Sequence, residues 1–336
     1  MMPRSSRVDV RPGTLNDVPD IVSLLNAASR RWIGVDVASE SHLRVDFERP
    51  GFDPASDTIL IRDAEGVAVA YGEVVDLAAP HTLVTARGGV HPDRLGRGLG
   101  TIVHDWILDR AMRAVDRAPA GARVVLHQTI GAEDAAGERF LTDRGYHPVR
   151  HLWTMIAELA SPPVIERLPA DLRIRSFDAE ADLEATCRLV REAFAGQWGV
   201  GDAPFEEDLA QWRHIVDEDG DFTPDLWLLA GDGVDLVGSC LGWPTSREGP
   251  STGWIFGFAV AERWRRRGVG LALLTRTLSE LYRIGLRRVG LGVDAANPTG
   301  AVALYERAGM SVARRRRAYE LVLREAASTP VNFERM

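Results

Sequence analysis

The sequence repeats itself once, at the scale of a domain, and this constrains its fold more than any single motif does. Val8-Asp9-Val10-Arg11-Pro12 reads as a short strand and a polar turn. DVPDIVSLLNAAS follows, with Val18, Ile21, Leu24 and Leu25 at helical spacing. Leu172 to Phe177 is again a short strand, and DLEATCRLVREAF carries Leu183, Cys187, Leu189, Val190 and Phe194 on a helical stripe. Thr58 to Arg62, a turn at Asp63 to Gly66 and VAVAYGEVV predict a hairpin. Its counterpart is Leu226 to Ala230, Gly231-Asp232-Gly233 and Leu236 to Leu241. Each half continues with an apolar strand, a turn rich in glycine and arginine, and a long amphipathic helix, about Leu99 to Val115 and Val269 to Ile284. A strand (Val124 to Leu126; Val289 to Val293), a short helix and a terminal strand close each unit. Chance does not order five elements alike twice. Pro162 and Pro163 mark the linker, because paired prolines cannot continue a sheet interior.

The expected fold is therefore α+β, with two tandem domains at residues 1–160 and 168–328. Each should hold a mixed, mostly antiparallel central sheet flanked by helices. A chain of 336 residues with 45% hydrophobic and 26% charged residues can bury two such cores without staples. The two cysteines, Cys187 and Cys240, are too few for a disulfide framework or a thiolate metal site. No apolar run reaches the roughly 18 residues of a membrane span, and MMPRSSRVDVRPG lacks the apolar core of a signal peptide. A cytoplasmic location, with no membrane partner and no metal, is the expectation.

All 40 basic residues are arginine. A chain without lysine cannot form a Schiff base, anchor pyridoxal phosphate or build a Walker-type phosphate loop, since each needs the lysine amine. The net charge of −8 argues against nucleic acid as a partner.

The sharpest local signal is Arg265-Arg266-Arg267-Gly268-Val269-Gly270, set between the strand Trp254 to Val260 and the second long helix. Glycines let a ligand approach the backbone. The first amides of the helix are unpaired, and its dipole favours negative charge. Arginines add forked donors for phosphate oxygens. Further on come Asn297-Pro298-Thr299-Gly300-Ala301 and Leu304-Tyr305-Glu306-Arg307-Ala308-Gly309-Met310.

In this order, the three motifs resemble the GNAT superfamily of acyl-CoA-dependent N-acetyltransferases, across about Leu172 to Leu323. The first half fits the family more weakly, so the whole chain resembles its tandem two-domain type. The resemblance implies acetyl-CoA as donor substrate, with its pantetheine arm on the backbone of Phe258, Ala259 and Val260. It places the pyrophosphate by Arg265 and on the amides of Arg266, Arg267, Gly268, Val269 and Gly270. Asn297 would contact the donor where the strands splay, and Tyr305 would protonate the leaving sulfur. Backbone amides around Val260 would polarise the thioester carbonyl.

The halves differ where chemistry would occur. The first-half turn, Leu95-Gly96-Arg97-Gly98-Leu99-Gly100, keeps its closing glycines but has Leu95 opposite Arg265. The same register sets Leu141 opposite Tyr305 and Glu133 opposite Asn297. The first domain is therefore expected to be non-catalytic.

No general base stands out. Trp254 to Val260 is wholly apolar, and His214, the second half's one histidine, falls on a predicted surface helix. Glu192, Asp202, Glu206 and Glu207 flank the expected acceptor segment, as do the aromatics Trp198, Phe205 and Trp212. The acidic stretch Asp217 to Asp221 could attract a cationic acceptor, and the basic run Arg314 to Arg317 an acidic one. The expected activity is acetyl transfer from acetyl-CoA to a primary amine of a small molecule in the C-terminal domain. The alternatives are acetylation of a protein or peptide amine, or an acyl-CoA-binding protein with little turnover. The oligomeric state is open.

Overall fold

The computed structural model describes residues 8–77, 79–198, 203–246 and 251–327. The first half opens with strand β1 (Asp9–Arg11) and helices α1 (Val18–Ile33), α2 (Glu40–Glu48) and α3 (Pro54–Asp57). Strands β2 (Thr58–Arg62), β3 (Ala68–Val75) and β4 (Leu83–Val90) lead to helix α4 (Leu99–Arg117). Strand β5 (Val124–Gly131), helix α5 (Ala135–Thr142) and strand β6 (His147–Glu158) complete it.

The second half repeats the plan with β7 (Arg173–Ser176), α6 (Ala179–Phe194) and α7 (Phe205–Glu218). Strands β8 (Trp227–Gly231), β9 (Leu236–Trp243) and β10 (Thr252–Val260) then lead to α8 (Val269–Arg283). Strand β11 (Arg288–Asp294), helix α9 (Ala301–Arg307) and strand β12 (Met310–Arg324) end it. The repeat extends to ion pairs. Arg11 grips Asp17 with two hydrogen bonds of 2.7 Å, and Arg175 grips Asp182 through both terminal nitrogens, each tying an edge strand to the segment that opens a helix.

The two half-sheets run on as one twelve-stranded sheet, in the order β1-β2-β3-β4-β5-β12-β6-β11-β10-β9-β8-β7. At its centre the terminal strands are exchanged. β6, from the first half, pairs with β11 of the second, and β12, from the second, pairs with β5 of the first. The cores follow the exchange: Met155 and Ala157 of β6 are buried with Leu273, Leu274 and Leu278 of α8. Tyr319 of β12 is buried among Val103, Ile107 and Leu126. Each half therefore completes its core with a strand of the other, and burial of these apolar residues couples the halves. Only β4–β5 and β10–β11 pair in parallel; every other neighbouring pair is antiparallel. These parallel pairs are the places where the sheet opens.

Candidate active site

Strand β10 pairs with β11 only from Thr252 to Trp254, opposite Arg288 to Gly290. Beyond that the two strands diverge, although β10 stays paired with β9. A bulge between Phe256 and Ala259 helps to steer it away. Gly257 supplies the left-handed residue of the bulge (φ 57°), and the Ser239 hydroxyl donates to its carbonyl at 2.8 Å. A lone glycine in an apolar strand is a bulge signal, and this one marks where the site opens. Strand β4 has no such register shift over Ala70↔Val90 to Val75↔Thr85, so the first half lacks this device.

The Ala261 amide donates to Val237, which sets Ala259 and Ser239 as a hydrogen-bonded pair across β9. Ala259 thus directs its amide toward β9. The amide of Val260, next in the alternation, faces the open splay instead. Phe258, Ala259 and Val260 all line the cavity.

A cavity of about 820 Å³ fills the splay. The β10 wall (Ile255 to Val260) faces the opposite wall from Leu291 to Asp294, while α9 contributes Ala301, Leu304 and Tyr305. Helices α6 and α7 close the other face with Cys187, Val190, Arg191, Asp208 and Trp212. Beyond Val260 the turn enters α8 through two left-handed residues, Arg266 (φ 63°) and Gly268 (φ 86°). Arg266 and Gly270 line the cavity, and Val269 is buried beneath. A Cβ on Gly270 would stand 3.1 Å from Leu304 and 3.3 Å from Phe258, tighter than ordinary packing, so glycine keeps the cradle clear. These residues fit a phosphate-bearing ligand at the start of a helix of fifteen residues.

The remaining candidates take different roles. Arg265 lines the cavity, and its guanidinium also reaches backbone carbonyls. It donates to the Val260 carbonyl at 3.1 Å and to the Ala193 carbonyl at 3.4 Å, bracing β10 against α6. Arg267 lies over the Trp264 ring, 5.1 Å from its centroid, outside the cavity lining. Asn297 lines the cavity, accepts from the Thr299 amide and donates to Gln197 at 3.3 Å, joining the α9 side to the loop after α6. Tyr305 is buried against Phe258, and burial pushes its phenol above the ordinary value. Among the described residues its hydroxyl makes no hydrogen bond.

Of the carboxylates considered as bases, Glu192, Glu206 and Glu207 are exposed and do not line the cavity, and Glu207 accepts from the Ala79 amide instead. Asp202 lies outside the described residues. The described carboxylates that do line it are Asp208, ion-paired with Arg191, and Asp294, 3.4 Å from Arg150. His214 donates to or accepts nothing in the cleft; its ring nitrogen meets the Val45 carbonyl. Asp219 and Asp221 accept from Trp243 and Thr245, so this part of the acidic stretch is a structural brace. Trp198 lines the cavity and stacks on His127 of the first half at 4.7 Å, while Phe205 sits under Arg188. Among the described residues no group of three or more candidate ligands could hold a metal, and no helix is long and apolar enough to cross a membrane.

The acetyltransferase (GNAT) family model matches residues 183–310. The mycothiol acetyltransferase of Actinosynnema mirum is 30% identical over 292 residues, covering 86% of this chain and 91% of that one. That of Thermobispora bispora is also 30% identical, covering 91% and 96%. A GCN5-related N-acetyltransferase from Sphaerobacter thermophilus superimposes with a TM-score of 0.78 at 33% identity, covering 98% of this chain and 99% of that one. A tandem GNAT protein from the clavulanic acid pathway shares the fold at a TM-score of 0.71 and 15% identity, covering 96% and 100%. The splayed and bulged strand, the glycine cradle and these likenesses agree: the chain belongs to the GNAT acetyltransferase family, whose donors are acyl-CoA thioesters, and is an acyltransferase.

Proposed function

We propose that the cleft of the second half transfers an acetyl group from acetyl-CoA to a primary amine of a small molecule, by direct attack of the amine on the thioester. The observation that carries this is the meeting of three parts in one cavity. They are the Phe258 to Val260 backbone with the Val260 amide turned to the splay, the glycine turn ending at Gly270, and the Tyr305 phenol. The Val260 amide supplies a donor to the oxygen on which charge develops, in a setting that needs no reorganisation. Tyr305 keeps its proton because burial disfavours phenolate, so it can deliver that proton to the leaving thiolate. The incoming ammonium must lose a proton first, and Asp208 and Asp294 are the described cleft carboxylates positioned to draw it in.

The name carried by the Actinosynnema and Thermobispora relatives supports a small-molecule acceptor. In this reading the first half, residues 1–160 in sequence, does no chemistry. Leu141 is buried where Tyr305 stands in the second half, and strand β4 is not bulged. The test is an acetyl-CoA assay against a broad panel of amines and peptides, read by mass spectrometry, beside a calorimetric titration of acetyl-CoA. Acetylated small amines are the expected result. Acetyl-CoA binding with no product from any amine would overturn the reading in favour of a donor-binding protein.

A further inference from the structure

Among the described residues, the cleft holds a cation with no counter-charge. Arg316, on β12, lines the cavity, yet its Nε is buried and has no hydrogen-bond partner. Arg316 is opposite Leu152 of β6, and Leu152 is opposite Asp294 of β11, so the three side chains stand in one row on one sheet face. All three line the cavity. The row lies on the face covered by α6 and α7: Arg150, two residues before Leu152 and so on the same face, reaches over the Trp198 ring. That is the side away from Tyr305 and α9. Arg316 is two strand spacings, about 10 Å, from β11.

Among the described residues the other cleft charges are engaged, except Arg266 in the turn at the start of α8. Arg191 pairs with Asp208, Asp294 with Arg150, and Arg265 with two carbonyls, while Arg266 stands at the end of the cleft proposed for the donor phosphates. Further along β12, Glu320 is held by Arg123 at 2.6 Å and His127 at 3.0 Å. Burial lowers the Arg316 affinity for its proton, and the Arg316 charge does the same to Arg314 two residues away. A guanidinium cannot shed its charge at any ordinary pH. A protein retains a buried cation without a partner at a cost, and an anion brought by a ligand removes that cost.

We propose that Arg316 is the acceptor-recognition residue of this cleft and binds an oxyanion, a carboxylate or phosphate, carried by the amine that is acetylated. This rests on the proposed amine acetylation and adds the acceptor's class: an amine bearing an acidic group some 10 Å from the splay, such as an acidic metabolite or amino-acid derivative. The planar fork suits two oxygens of such a group. Its place on the α6–α7 face keeps that contact apart from the donor phosphates at the α8 end.

The test compares matched acceptors, amino acids against their amides and phosphorylated amines against their dephosphorylated forms. The wild-type chain should favour the acidic member of at least one series by tenfold or more in kcat/KM, mainly through KM. Arg316→Gln should bring that ratio to within about twofold, and Arg316→Lys should restore part of it. The series that responds distinguishes carboxylate from phosphate. Equal use of acidic and neutral members by the wild type, or a preference that survives Arg316→Gln, would overturn the proposal. If no amine turns over, the parent reading is the one that has failed. Calorimetry with N-acetyl amino acids against their amides then decides Arg316 separately: tighter binding of the acids, lost in Arg316→Gln and partly kept in Arg316→Lys, supports it, and equal binding sinks it.

Discussion

The rings of Tyr305 and Phe258 lie 5.8 Å apart at 52°, although one is on helix α9 and the other on the strand that forms the opposite wall of the cleft. Packing fixes the phenol beside the backbone that faces the donor. Removing its hydroxyl leaves this ring contact intact, so Tyr305→Phe should lower kcat about 100-fold while acetyl-CoA affinity changes by less than about threefold. Steady-state kinetics with calorimetry measures both. An unchanged kcat would reduce Tyr305 to packing. Burial holds the folded phenol above its ordinary 10.0. The acid form is therefore present throughout the neutral range, and kcat should show no descending limb from this group below about pH 10.

The cradle at the start of α8 leaves little room at Gly270, where a Cβ would stand 3.1 Å from Leu304 and 3.3 Å from Phe258 and a longer side chain would enter the cavity. Gly270→Leu should weaken acetyl-CoA binding about 100-fold or more, which corresponds to about 2.7 kcal/mol. A titration that shows retained affinity would mean the pyrophosphate sits elsewhere.

At the bulge, a Cβ on Gly257 would stand 2.6 Å from Leu241 Cδ1, and the residue is left-handed at φ 57°. Gly257→Ala should cost about 1–3 kcal/mol of stability in denaturant unfolding. It should also depress kcat/KM, because the amides of Phe258 and Val260 turn with the bulge. A variant as stable and active as the parent would show that the bulge does not aim the site.

Asp17 is buried between Arg11 and Arg62, whose hydrogen bonds hold its carboxyl far below the usual carboxylate range. A depressed folded pKa contributes stability that is fully present above the unfolded value of about 3.9 and is lost as pH falls through the folded value. Asp17→Asn should therefore destabilise the chain by about 1–3 kcal/mol at pH 7. The gap between urea melts of the two proteins should narrow steadily as pH falls below about 4, and a gap that stays constant as pH is lowered further would assign the loss to packing.

Much of this architecture is legible in the linear sequence because it is local. Alternation and helical spacing located both long helices to within about two residues of the observed Leu99–Arg117 and Val269–Arg283. The hairpins were equally plain. Short α2, from Glu40 to Glu48, has little helical signal, because its buried apolar stripe is only Leu43 and Phe47. At the site, the order of glycine turn, Asn297 and Tyr305 places three walls of the cleft. Gly257 could have been found as a lone glycine in an apolar strand. The bracing role of Arg265 could not, since its partners are carbonyls at Val260 and Ala193, the latter 72 residues away.

The sequence by itself determines the repeated unit, the positions of its helices and strands, and the asymmetry between Tyr305 and Leu141, because periodicity and residue type act over a few neighbours. Only the tertiary structure decides that β6 and β12 change places, since two long strands of similar alternating pattern offer comparable edges and their choice depends on the assembled cores. It also decides that Arg316, one of four consecutive arginines, is turned into the cleft with no partner among the described residues. Which arginine of such a run meets a carboxylate, and which meets nothing, is set by register across strands from both halves.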